Sequence, residues 1–198
     1  MTTTAAQTHS DTTHPAGKGT PALTGTYAID TAHTRIGFVA RHAMVTKVRG
    51  SFGDFAGTVV LDADEPGRSR ADLTIEVASV DTGNAQRDEH LRTNDFFDAA
   101  TYPQIRFIST GVERVDDESY RLIGDLTIKG ITKPVVVDFE FTGIVVDPWG
   151  NERAGFEGRT AVNRKDWGVN FNAALEAGGV LVSEKIALEF DVAVVKTA

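Results

Sequence analysis

Lys185-Ile186-Ala187-Leu188-Glu189-Phe190-Asp191-Val192-Ala193-Val194 is the stretch that decides the fold. Every even position is large and apolar; every odd position is small or charged. Side chains on a strand alternate faces, so this segment predicts a strand with one apolar and one wetted face. The same writing recurs upstream. Ala71–Val80 sets Leu73, Ile75 and Val77 on one face, and Gln104–Val112 sets Ile105 and Phe107 together. Tyr120–Lys129 groups Leu122, Gly124, Leu126 and Ile128, with Ile123 off pattern. Val135–Val146 places Val135, Val137, Phe139 and Phe141 against Asp138, Glu140 and Thr142. Glu152–Arg164 groups Phe156, Gly158, Thr160 and Val162. Thr26–Asp30, Arg35–His42, Phe52–Asp62 and Val180–Val195 complete the set, with Gly53 and Gly57 marking a bend or bulge.

The links between these segments are short and carry turn chemistry. Asp147-Pro148-Trp149-Gly150 fits a type I turn, and Lys129-Gly130 separates two strands. Parallel neighbours need crossovers of about a dozen residues, so the strands are antiparallel. One segment departs from the pattern. Asn84–Phe97 is helical in composition, with Asn84 as N-cap and Asp88 and Arg92 spaced to pair. It is mostly polar, so it docks by one end, as a lid over a barrel mouth would. About eight strands and one helical insert predict an all-β barrel or sandwich. An eight-stranded barrel is either filled by its own side chains or holds one small ligand.

Composition narrows the function. The chain has 198 residues, 41% hydrophobic and 24% charged, the range of a globular protein. Its net charge is −8 with a pI near 5.1. Such a surface repels phosphate backbones, which argues against nucleic acid as a partner. The absence of cysteine removes thiol catalysis, disulfides and Cys-ligated metals. No apolar run approaches the roughly 20 residues needed to span a bilayer. The first residues lack a basic n-region and an apolar h-region, so the expected location is the cytoplasm. Residues 1–22 are rich in Thr, Ala, Gly, Pro and His and predict a disordered tail ahead of a domain over 23–198. His9 and His14 in that tail have no third metal ligand in spacing.

Signatures of known chemistry are missing: no G-x-S-x-G, P-loop, G-x-G-x-x-G or H-E-x-x-H. His33 and His42 lie nine apart, which puts them on opposite faces of a regular strand. His90 and Asp88 do not face each other on a helix. Arg164, followed by Asp166-Trp167-Gly168, sits where a strand ends. It is either a structural ion pair beside a packed Trp167, or a polar clamp and aromatic wall at a cavity mouth. Phe38, Phe107, Phe139, Phe141, Phe156 and Phe190 fall on apolar strand faces, together with Leu126 and with the small residues Gly124, Gly158 and Thr160.

Several motifs carry a resemblance. They include Tyr27-Ala28-Ile29-Asp30, Ala32-His33-Thr34, Gly50-Ser51-Phe52 and Ser79-Val80-Asp81-Thr82-Gly83. Further along are Arg87-Asp88-Glu89-His90-Leu91, Asp95-Phe96-Phe97-Asp98, Gly124–Gly130 and Asn163-Arg164-Lys165-Asp166-Trp167-Gly168. In order, they cover nearly all of residues 24–198. On them the chain resembles the YceI-like, polyisoprenoid-binding family. The resemblance implies an extended, lipocalin-like antiparallel eight-stranded barrel around an elongated apolar pore. It also implies an isoprenoid chain or similar long lipid as ligand, and a homodimer. Many relatives carry a secretory leader; the first residues of this sequence do not read as one, so the expectation departs from the family there.

The resulting expectation is a protein that binds, sequesters or transports a long-chain isoprenoid lipid, a quinone among the candidates, without catalysis or any cofactor beyond that lipid. Phe38, Phe107, Leu126, Phe139, Phe141, Phe156, Trp167 and Phe190 are the expected pore residues. His33, His42, Arg87, Asp88, His90 and Arg164 are expected near the mouth, where a lipid head needs polar partners. Two rivals stay open: an enzyme acting on a prenyl or other hydrophobic substrate, and an interaction module whose barrel is packed solid.

Overall fold

The computed structural model describes residues 23–176 and 178–198. The expected tail over 1–22 lies outside the described residues. The strands are β1 (Gly25–Ile29), β2 (Arg35–His42), β3 (Thr46–Phe52), β4 (Phe55–Leu61), β5 (Arg70–Glu76) and β6 (Val80–Asp81), then β7 (Gln104–Arg114), β8 (Ser119–Ile128), β9 (Ile131–Val146), β10 (Glu152–Asn163) and β11 (Lys185–Lys196). One helix, α1 (Ala85–Arg92), lies between β6 and β7.

The ring β1-β4-β5-β7-β8-β9-β10-β11 closes because β1 pairs with both β4 and β11. The alternation left a barrel or a sandwich open; this is the antiparallel eight-stranded barrel that the family resemblance implied. Closure removes the sheet edges that would otherwise invite pairing with other chains. The strands β2, β3 and β6 continue β1, β4 and β5 past a break in each. Asp30 causes the first break: its carboxylate accepts from the Ala32 amide and binds His33 Nδ1 at 2.8 Å. The others fall at Gly53–Asp54 and at a short 3-10 turn, Val77–Ser79. The edge of β11 is consequently shared, with Val194 opposite Ile29 of β1 and Ala187 opposite Val39 of β2.

The structure differs from the sequence reading in four places, the first being the expected strand Ala71–Val80, which the Val77–Ser79 turn interrupts. The expected strand Phe52–Asp62 is split at Gly53, and β3 precedes it. The helix stops at Arg92 instead of Phe97, because Thr93 turns the chain and its hydroxyl donates to the His90 carbonyl. The last strand begins at Lys185, not Val180. Residues ahead of it are held by side chains: Asn172 brackets both the amide and the carbonyl of Val182, and Arg164 takes the Ser183 carbonyl. These contacts replace a strand ladder.

We refer to the two ends of the barrel as the helix end and the terminus end. The helix end carries α1, the β2–β3 and β8–β9 turns and the 164–184 segment. The terminus end carries the start of β1, the finish of β11 and the β4–β5, β7–β8 and β9–β10 turns. The larger core cluster, including Phe52, Phe55, Ile75, Val77, Val80 and Trp167, packs toward the helix end. A smaller one around Tyr27, Ala154 and Val194 packs toward the terminus end.

An ion cluster on the wall ties the first break to the β9–β10 turn. Arg153 bridges Asp30 and Asp147, the latter at 2.7 Å. Burial pushes Asp30 up, but hydrogen bonds from His33, Arg153 and the Ala32 amide outweigh it and hold it below the ordinary carboxylate value. Arg153 first, then Asn151, hold Asp147 well below that range. A carboxyl depressed on folding adds stability above its unfolded pKa of about 3.9 and loses it as pH falls through the folded value. Arg153→Met is therefore expected to lower the melting temperature at neutral pH. The gap to wild type should close as both proteins are taken below pH ~4. A gap independent of pH in thermal melts would refute the assignment.

Candidate functional site: an apolar bore

The barrel is not packed solid. A cavity of about 310 Å³ runs along its axis. At the helix end it is lined by Leu91, Phe96, Phe97, Trp167 and Arg164. At the terminus end it is lined by Leu23, Leu61, Asp62, Ala63, Pro66, Ser69 and Tyr120. Between them stand Ile186, Leu188, Phe190, Val192 and Val194, the whole apolar face of the deciding stretch. The volume is roughly twice that of the ~150 Å³ apolar cavities that stay dry and take up small hydrocarbons. Water inside would find few hydrogen-bond partners, whereas an apolar chain would lose nothing.

Glycines explain why the bore stays open. Gly158 on β10 faces Phe139 on β9, and Gly50 on β3 faces Phe38 on β2. A Cβ on Gly158 would stand 2.3 Å from the Phe139 ring, and one on Gly50 would stand 2.3 Å from the Phe38 ring. Gly124 on β8 makes the same room for Phe107. Each ring lies over a glycine on the neighbouring strand, against the wall, instead of crossing the bore. The glycines that the sequence placed on apolar faces are thus occupied by the protein's own rings.

Of the expected pore residues, Phe38, Phe107, Leu126, Phe139, Phe156, Trp167 and Phe190 line the cavity. Phe141 does not. It stacks on Phe156, ring centres 5.4 Å apart, within the small cluster around Tyr27. Trp167 is buried, and its indole N–H donates to the Leu126 carbonyl at 2.9 Å, so it closes the helix end. A 3-10 turn, Arg164–Trp167, presents it. The Asn163 side chain caps this turn and Gly168 ends it at φ 70°.

Of the expected mouth residues, only Arg164 forms part of the cavity wall. Its guanidinium donates to the carbonyls of Ser183, Val169 and Val182, which pins the 164–184 segment across the helix end. Burial pushes its pKa down from the ordinary value, and the nearby Glu184 carboxylate offsets part of this. Arg87 donates to the hydroxyl and carbonyl of Thr82, and Asp88 accepts from the Thr82 amide and hydroxyl, so both fasten α1 to the chain that precedes it. The expected Asp88–Arg92 pair is absent, because Arg92 reaches the carbonyls of Ala78 and Val80. His90 pairs with Asp95 at 2.7 Å and packs edge-on against Phe96 and Phe171. His42 is exposed at the β2–β3 turn, and His33 sits in the Asp30 turn. The helix acts as a fixed wall at one end, with Leu91 facing the cavity.

Sequence reasoning missed the polar rim. Asp62, Ser69 and Arg70 line the terminus end, where the Ser69 hydroxyl accepts from the Asp62 amide. Asp62 and Ser69 sit in the irregular β4–β5 turn, with no periodicity to mark it, and Arg70 opens β5. Among the described residues, no cluster of three His, Cys, Asp or Glu is placed to hold a metal, and no helix is long and apolar enough to cross a membrane.

Comparison with known proteins places this geometry. The YceI-like domain model matches residues 27–194. A UPF0312 protein of Photorhabdus laumondii is 42% identical over 156 residues, 78% of this chain and 80% of the relative. The crystal structure of Burkholderia cenocepacia BcnA superposes with a TM-score of 0.74 at 25% identity, covering 83% of this chain and 98% of that one. A polyisoprenoid binding domain from Saccharophagus degradans shares the fold, with a TM-score of 0.66 at 15% identity over 86% of this chain and 98% of that one. With the family model running from within β1 to within β11 and the barrel closed as described, the chain belongs to the YceI-like domain family.

Proposed function

We propose that this protein binds a long-chain isoprenoid lipid in the bore and shields it from water, as a carrier or a reservoir. The observation that supports this reading is the continuous apolar cavity along the barrel axis, held open by glycines beneath its rings. The polyisoprenoid binding domain of Saccharophagus degradans, which shares the fold, supports the ligand class. A quinone tail belongs to that class. Burying apolar surface gains about 0.8 kcal/mol per CH₂, so one five-carbon unit gains roughly 3–4 kcal/mol before ordering costs. Such a tail supplies affinity with little discrimination. Selection then rests on bore length and on the polar groups at the rim.

Among the described residues that would carry a catalytic reading, His33, His90, Arg87 and Asp88 are engaged outside the cavity, His42 is exposed, and Arg164 at the cavity wall gives its hydrogen bonds to backbone carbonyls, which favours binding over turnover. Native mass spectrometry of protein purified without detergent and then offered prenyl alcohols of stepped length tests both readings. The expected result is one ligand per chain, with retention rising with length to a plateau and the ligand mass unchanged. Absence of uptake at every length would refute binding, and a changed ligand mass would favour the enzyme.

A further inference from the structure

We infer that the tip of the β9–β10 hairpin inserts into lipid bilayers with neutral headgroups, which puts the terminus end of the bore against the membrane. The inference deepens the lipid-binding reading and rests on it for the choice of occupant. Val145, Val146 and Trp149 are 60%, 62% and 82% exposed. Val145 lies across from Arg153 and Val146 across from Glu152, so the two valines occupy opposite faces of the hairpin. β8 begins opposite Glu140, so β9 has no strand on that edge near its tip. A partner protein docking on one face would leave the other valine wet, whereas a fluid apolar phase takes both.

The tip is held in shape. The Asp147 carboxylate accepts from the amides of Trp149 and Asn151 at 2.9 Å each, and the Gly150 amide donates to the Asp147 carbonyl. Trp149 is therefore presented outward on an ordered turn, and little ordering is left to lose on insertion. Charges beside it are matched: Asp147 with Arg153, and Glu152 with Lys196, each at 2.7 Å. The net charge of −8 disfavours anionic lipids, which selects neutral headgroups. An indole suits the boundary between headgroups and acyl chains. Leu23, Leu61, Ala63 and Pro66 line the bore at this same end, so a lipid passing between bilayer and bore would avoid a long path through water.

The test is sedimentation of the full chain with phosphatidylcholine vesicles, with brominated lipid as a quencher. Trp167 is only 3% exposed, so quenching reports Trp149. Wild type is expected to co-sediment and be quenched. Trp149→Ser should lose about tenfold or more in partitioning, the loss that one large apolar side chain implies. Val45→Ser, an exposed position at the helix end, should change nothing. Wild type that takes up prenyl alcohol but ignores vesicles overturns the inference alone; vesicle binding without uptake overturns only the lipid reading. Shielding of Trp149 that grows with protein concentration in the absence of vesicles, and a dimer lost in Trp149→Ser, would assign the tip to a second copy and overturn it too.

Discussion

Trp167→Ala is expected to destabilise the protein by about 3–5 kcal/mol, the range for deleting a large aromatic from a packed core. The indole is buried in the main cluster and donates its N–H to the Leu126 carbonyl. The change removes both packing and that bond, and it opens the helix end of the bore. Trp167→Phe keeps most of the area and leaves one carbonyl short of a donor, which costs about 1–3 kcal/mol. Urea titration of the two variants measures the difference. A loss near 1 kcal/mol for the alanine variant would show that water already reaches this end. If the closure reading is right, Trp167→Ala also releases bound prenyl alcohol faster than the phenylalanine variant does.

Gly158→Val should act through the bore. The backbone at Gly158 is extended, so valine suits the strand, but the atoms nearest its Cβ all belong to the Phe139 ring, at 2.3 to 2.7 Å. The ring has to swing off the wall into the cavity. Overpacking of this kind costs about 1–3 kcal/mol. The larger effect falls on the ligand: the bore should be blocked at mid-length, and the longest prenyl alcohol retained should shorten. Adding Phe139→Ala should restore the long chains, since the obstacle is then gone. A Gly158→Val protein with wild-type length preference would show that the ring has another place to go. Gly124 is a poorer choice, because the Ile108 carbonyl as well as the Phe107 ring stands in the way of a Cβ there.

The polar residues show where reading a sequence is weakest. Arg87, Asp88 and His90 share a motif and are expected near the mouth, yet each is spent on holding α1 and the chain beside it. Arg164 reaches the cavity wall while giving its hydrogen bonds to three carbonyls. A charged side chain is long and has several donors or acceptors, so its partner depends on which backbone happens to pass nearby. Spacing along the chain does not determine that.

The alternation from Lys185 to Val194, repeated through the earlier strands, was enough to determine an antiparallel all-β fold, barrel or sandwich, and most of its inward face. Side-chain direction in a strand has a period of two and is a local property, carried by the chain whatever surrounds it. Phe141 marks the limit, since it shares its strand's parity with Phe139 yet is covered by Phe156 and the cluster around Tyr27. Only the tertiary structure decided that the barrel encloses a cavity. That outcome depends on register between strands, which sets Phe139 over Gly158 and Phe38 over Gly50 and so lays the rings along the wall. Register is fixed by closure of the whole ring, to which residues far apart in the chain contribute, so no single stretch of sequence contains it.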